Sequence, residues 1–311
     1  MKTKEYSFKS SSNLCHIKVW QWAPDNEEDV KAVLQIHHGM AEHCGRYKAC
    51  IKAFTDMGYA VFMNDMINHG KSNHNKELLG YFGDKDGYKD IIADAKSVMD
   101  IAKKEYPDKP YIISGHSMGS LIMRCFINEY GCCFDGAVFI GTSGSNPLAN
   151  VSIALTSVIS KFKGTTYKSD FLKKVGFGAY DKPFEHRTDY DWGTRDSASV
   201  DDYQADEYCG YTFSTVGYKD LAKLVMECNT DEWANRINKD MPVLLISGSM
   251  DPVGNYEKGV KEVYDRLKKT GHTNVDIKLY PEARHEILNE LNKEEVYDYI
   301  NNFIEKNVIK K

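Results

Sequence analysis

The pentapeptide Gly115-His116-Ser117-Met118-Gly119 constrains this chain more than any other feature, because of what brackets it. Before it, Pro110-Tyr111-Ile112-Ile113-Ser114 is a short apolar run opened by a proline, which predicts a buried strand. After it, Ser120 to Ile127 has helix-length apolar content that stops near Gly131. A G-x-S-x-G that turns a strand into a helix makes a sharp elbow. Its glycines let the backbone turn, and its serine hydroxyl is lifted above the sheet edge. Ser117 is therefore the candidate nucleophile.

The rest of the chain supplies the sheet for such an elbow. Glu5 to Lys9 and His16 to Trp22 predict an antiparallel opening hairpin, followed by a buried strand at Ala32 to Ile36. A helix is expected from about Arg46 to Met57, a strand at Tyr59 to Met63, and a long helix from Tyr88 to about Glu105. Further strands are expected at Ala137 to Ile140, Val243 to Ile246 and Val275 to Tyr280, with a final helix from near Lys293. Alternating strands and helices predict an α/β fold, a mostly parallel sheet covered on both faces. About a hundred residues separate Ile140 from Val243, where a crossover needs only a dozen or so. The excess predicts an inserted helical cap, residues 146–223, on a core made of residues 1–145 and 224–311. Its first part, Leu148 to Phe162, carries Val151, Ile153, Leu155, Val158 and Ile159 and is expected to pack as a buried cap helix. The alternative is a lid face that meets acyl chains, with Lys161 and Lys163 suited to an anionic interface.

A net charge of −5 without a basic block argues against nucleic acid as partner. No uninterrupted apolar stretch reaches the ~18 residues of a membrane span, and the first residues lack the apolar core of a signal peptide. A cytoplasmic location is the expectation, with at most transient membrane-surface contact through the cap. The eight cysteines form no C-x-x-C pair, and reduced thiols are expected in a chain long enough to have a core.

A serine nucleophile needs a base and a carboxylate to orient that base, and in this topology each follows a strand's C-terminal end. Asp240 precedes its strand, whereas Asp251, in Gly248-Ser249-Met250-Asp251-Pro252, comes directly after one. His272 likewise precedes the last strand, whereas His285 follows it and comes just before the final helix. Ser117, Asp251 and His285 are the expected triad. The oxyanion of a tetrahedral intermediate needs two backbone N–H donors. One is expected from Met118, immediately after the nucleophile. The other is expected from Met40, in the loop His37-His38-Gly39-Met40-Ala41-Glu42-His43, where Gly39 permits the turn. The loop's three histidines have no ligand set to complete a metal site, so neither a metal nor a cofactor is expected.

These blocks carry a resemblance. His38-Gly39-Met40-Ala41-Glu42-His43 with Arg46-Tyr47 is similar to an H-G-x-x-E-H-x-x-R-Y block, and Asp65 to Ser72 to a D-x-x-G-H-G-x-S block with Asn68 in place of glycine. Thr188-Asp189-Tyr190-Asp191-Trp192 and Tyr208-Cys209-Gly210 are similar to bacterial lysophospholipase-like sequences. The chain resembles the monoacylglycerol lipase and lysophospholipase branch of the α/β-hydrolase superfamily, which includes serine aminopeptidases of S33 type. The resemblance implies an α/β-hydrolase fold and a serine ester hydrolase acting on a small-molecule acyl ester or lipid, monoacylglycerol or lysophospholipid. Serine aminopeptidase, thioesterase or acyltransferase chemistry is the alternative. An aminopeptidase would need an acidic pocket, for which Glu185, Asp201, Asp202 and Asp206 are candidates. Glu42 and His43 read as braces of the oxyanion loop, and His116 as a support beneath the site.

Overall fold

Strand runs that are apolar at every position have to be covered on both sides, and the fold does this. In a computed structural model, which describes residues 1–310 and of Cys132 only the backbone, eight strands form one sheet. They are β1 (Lys2–Lys9), β2 (His16–Ala23), β3 (Ala32–His37), β4 (Tyr59–Asp65), β5 (Tyr111–His116), β6 (Gly136–Ile140), β7 (Val243–Gly248) and β8 (Val275–Tyr280). Their order is β1-β2-β4-β3-β5-β6-β7-β8. The opening hairpin pairs antiparallel within itself and with β4, and every later pairing is parallel. This is the mostly parallel α/β sheet expected from the alternation, in the arrangement that the resemblance implies.

Helices α1 (Lys48–Asp56), α2 (Gly87–Glu105) and α3 (Met118–Tyr130) precede β6. Between β6 and β7 lie α4 (Ala149–Lys163), α5 (Asp170–Phe177), α6 (Ser197–Ala205), α7 (Thr215–Glu227) and α8 (Asp231–Arg236). Helices α9 (Lys258–Lys269) and α10 (Lys293–Ile304) complete the chain. Successive strand residues point to opposite faces, so two cores form. Val33, Phe62, Ile113, Phe139 and Leu245 pack with α2, α3 and α9, while Leu34, Val61, Ile112, Val138 and Leu244 pack with α1 and α10. Among the described residues, no helix is long and apolar enough to cross a membrane.

Two expectations need correction. Arg46 does not start α1: Cys44–Tyr47 is a 3-10 turn, with the Arg46 guanidinium held by Glu42 and Glu286. The helix expected to be buried is not: α4 buries only Ala149 and Thr156. Leu155 and Ile159 pack on the core, while Val151, Val158 and Phe162 are exposed, Phe162 by 79%. A helix apolar on all sides fits burial, but α4 rests on α7 with one face only.

Candidate active site

The elbow is sterically forced. Ser117 adopts φ 54°, ψ −121°, in a region that side chains rarely occupy. A Cβ on Gly115 would lie 2.3 Å from the Gly119 carbonyl oxygen, and one on Gly119 would lie 2.3 Å from the His37 carbonyl oxygen. Only glycine fits at either position. The Ser117 N–H donates to the Ile140 carbonyl of the neighbouring strand at 2.9 Å, fixing the elbow to the sheet.

Asp251 and His285 come together as expected from their positions after β7 and β8. His285 Nδ1 donates to Asp251 Oδ1 at 2.9 Å, so the proton-accepting nitrogen of the neutral ring is Nε2. Both residues are buried. Asp251 also accepts from the Val253 N–H at 2.8 Å and from the Ser247 hydroxyl at 2.9 Å. Ser247 was not anticipated, although its place near the end of β7, four residues before the acid, was a usable signal. Trp192, also unanticipated, lies against the His285 ring at 5.4 Å between centroids.

The loop expected to carry the oxyanion donor is shaped by Glu42. Its Oε1 accepts from the Gly39 N–H at 2.5 Å and from the Tyr47 hydroxyl at 2.8 Å, and its Oε2 accepts from Arg46 at 3.0 Å. A Cβ on Gly39 would meet that same Oε1 at 2.6 Å and Ser117 Cβ at 3.2 Å, which places the loop directly over Ser117. With the Gly39 N–H committed to Glu42, the next donor along the loop is Met40. Met118, the first residue of α3, has an N–H with no intrahelical acceptor. His38 is neutral by its contacts: Nδ1 donates to the Gly39 carbonyl at 2.9 Å, and Nε2 accepts from the Met66 N–H at 3.1 Å. Asn68, standing where glycine is usual, takes φ 53°.

His116 lies beneath these groups, its ring 4.6 Å from that of His285. Its Nδ1 faces Glu42 Oε1 at 3.3 Å and its Nε2 faces the His285 carbonyl at 3.3 Å, so both nitrogens meet acceptors. Burial pulls the His116 pKa down, but the Glu42 carboxylate outweighs it and the pKa is raised. Burial pushes Glu42 up, yet His116 and Arg46 hold it well below the usual carboxylate range. Arg46 continues the network to Glu286 with bonds of 2.9 and 2.7 Å.

Sequence gave no sign of how the residues between β6 and β7 reach these loops. Arg284, beside His285, donates to the Asp191 carbonyl at 2.5 Å, and the Glu286 N–H donates to the Gly193 carbonyl at 2.6 Å. On the other side, His43 meets Asp206 at 2.9 Å. Asp206 and Cys209 also bring carboxylate and thiol ligand atoms within 4.8 Å of His43, which the spacing had not suggested. The imidazole is set for a hydrogen bond and not for a cation. Its Nδ1 accepts from the Gly45 N–H at 3.1 Å, which leaves the proton on Nε2, facing Asp206.

Ser117, His285, Met40 and Met118 line one cavity of about 1090 Å³. It extends between α4, α5 and α7 along Leu155, Leu172, Val175, Leu221 and Val225. Asp189, Tyr190, Tyr203 and Asn255 add polar groups to its wall.

The family model described as "Serine aminopeptidase, S33" matches residues 28–292. A monoacylglycerol lipase of Mycolicibacterium smegmatis is 26% identical over 288 residues, covering 91% of this chain and 90% of its own. The structure of a highly thermostable carboxyl esterase from Bacillus coagulans, in complex with glycerol, superposes with a TM-score of 0.92 at 30% identity, covering 99% of this chain and 100% of that one. A lipase in open form superposes with a TM-score of 0.89 at 26% identity, covering 99% of each chain. The match runs through the loop bearing Met40, the elbow and the loops bearing Asp251 and His285, and the chain belongs to the serine aminopeptidase S33 family of α/β-hydrolases, in its monoacylglycerol lipase-like branch.

Proposed function

We propose that this chain is a serine ester hydrolase that cleaves monoacyl lipids or related medium-chain esters through an acyl-enzyme. Ser117 Oγ attacks the ester carbonyl as His285 Nε2 takes its proton, and Asp251 holds the imidazolium that forms. The N–H groups of Met40 and Met118 carry the oxyanion. His285 returns the proton to the leaving alcohol, and water repeats the sequence to release the acid. The chemistry needs no cofactor.

One observation carries the substrate class: the cavity that begins at Ser117 is about 1090 Å³ and mostly apolar beyond it. That is slightly above the range of small-molecule sites, typically ~300–1,000 Å³, and suits one acyl chain with its head group. Residues 146–223 are proposed as the cap over this cavity, with α7 joining it to the core. The exposed apolar side chains of α4 and α5 (Val151, Val158, Phe162, Phe171, Val175) suit transient contact with a lipid surface.

Three of the four acids proposed for an aminopeptidase pocket are held by basic partners, and the fourth, Asp202, is exposed and outside the cavity lining, which weighs toward the ester reading. Glu185 pairs with Arg284 at 2.6 Å, Asp201 pairs with Arg187, and Asp206 is taken by His43. The test is a p-nitrophenyl ester series of increasing acyl length, run beside monoacylglycerol, lysophosphatidylcholine and aminoacyl anilides. Medium-chain esters and monoacylglycerol should be turned over, and Ser117→Ala should abolish this while leaving Tm unchanged. Full activity in Ser117→Ala, or turnover of the anilides alone, would overturn the proposal.

A further inference from the structure

The oxyanion loop is closed by residues that lie between β6 and β7, more than 160 positions downstream. The Ala41 carbonyl, directly after Met40, accepts from the Gly210 N–H at 3.0 Å and from the Tyr203 hydroxyl at 3.1 Å. Both lone pairs of that oxygen are thus filled from the insertion. Ala41 has φ 52°, a left-handed conformation that a non-glycine residue holds only when its surroundings over-determine it. Two residues further on, His43 meets Asp206 at 2.9 Å. Asp206 is itself aimed: its other oxygen accepts from the Tyr208 N–H at 2.8 Å. Arg46 lies over the Tyr203 ring at 4.7 Å, joining this clamp to the Glu42 network.

We propose that Asp206 is a positioning residue which, with Tyr203 and the Gly210 N–H, locks the oxyanion loop from the insertion, so that the Met40 donor is aimed only while residues 203–210 are docked. The inference rests on the proposed serine hydrolase reading, and it gives the insertion a second task. Besides shaping the cavity, it completes the site's electrostatics. Undocking this segment would leave Ser117, His285 and Asp251 in place and disarm the oxyanion hole. Donor placement matters at this scale, since loss of one oxyanion donor costs about 10²–10³ in kcat and a 1 Å error about 10².

The experiment compares Asp206→Ala, Asp206→Asn and Glu207→Ala with the wild type in the full chain. Glu207 is the adjacent residue, exposed and paired with Lys76, and controls for general loosening of the segment. Asp206→Ala should lower kcat on p-nitrophenyl butyrate about 10- to 100-fold, with KM and Tm little changed. Asp206→Asn keeps an oxygen that accepts from His43 Nε2–H but turns its NH2 toward the Tyr208 N–H, and should lose several-fold less than Asp206→Ala. Glu207→Ala should match wild type. Amide hydrogen exchange of the peptide spanning residues 37–47 gives a readout independent of turnover. It should rise at least about tenfold in Asp206→Ala and not in Asp206→Asn. An inactive wild type would refute the hydrolase reading, and the exchange data would still decide whether the clamp exists. Wild-type kcat and exchange in Asp206→Ala, or equal losses in Asp206→Asn, would overturn the proposal.

Discussion

Ser247 donates its hydroxyl to Asp251 Oδ2 at 2.9 Å, leaving Oδ1 to the His285 Nδ1–H at the same distance. The carboxylate is thereby fixed from β7, the strand that delivers it. Ser247→Ala should let Asp251 rotate and misaim the imidazole. We expect kcat to fall about tenfold, equivalent to about 1.4 kcal/mol of transition-state stabilisation, with KM unchanged. Fluorophosphonate labelling of Ser117 should slow in parallel. Unaltered kinetics would mean that the Val253 N–H suffices to orient the acid.

The glycines of the elbow make a steric prediction with a built-in control. Gly119→Ala would place Cβ 2.3 Å from the His37 carbonyl oxygen and 2.5 Å from that of His38, and backbone cannot yield as a side-chain tip can. A loss of about 3 kcal/mol or more is expected, or failure to fold. Gly176, within α5, has nothing within 4 Å of its ideal Cβ. Gly176→Ala should instead gain about 0.5–1 kcal/mol from helix propensity. Thermal melts of the two variants read both signs.

Burial of Glu42 and His116 as a pair predicts a stability window. The folded pKa of Glu42 is lowered from 4.5, so its contribution is present above that value and is lost as pH falls through the folded one. The folded pKa of His116 is raised from 6.5, so its contribution is present below 6.5 and is lost as pH rises through the folded value. Together they stabilise most between 4.5 and 6.5. In Tm measured against pH, Glu42→Gln should flatten the acid limb and His116→Asn the alkaline limb. A profile unchanged in both variants would show that the pair carries no linkage.

The elbow and the pairing of Asp251 with His285 were legible in the sequence because each depends on local order. A strand's C-terminal end, a glycine pair and the succession Ser117, Asp251, His285 are all read along the chain. Tyr203, Asp206 and Gly210 were not legible as a clamp, because nothing within a window around Ala41 registers a partner 160 residues away. The sequence of α4 misled for a different reason. Apolar residues on every side of a helix fit burial, and they fit equally a helix that packs with one face and offers the other to something outside the chain. Only the observed packing of Leu155 inward and Phe162 outward separates these cases.

That outward face makes the last prediction. Phe162 is 79% exposed and Val158 55%, and neither lines the cavity at Ser117. Burying a side chain of this size at a lipid surface contributes about 1.5–3 kcal/mol, and Lys161 and Lys163 beside it favour anionic lipid. Phe162→Glu with Val158→Glu should therefore lower hydrolysis of long-chain monoacylglycerol in anionic vesicles by about tenfold or more, an effect that appears in apparent KM. The rate on p-nitrophenyl butyrate in solution should stay within about twofold, since the cavity wall is untouched. Sedimentation with vesicles separates adsorption from turnover. Equal loss on both substrates would place these residues in folding or catalysis instead, and no loss on either would remove α4 from the interface.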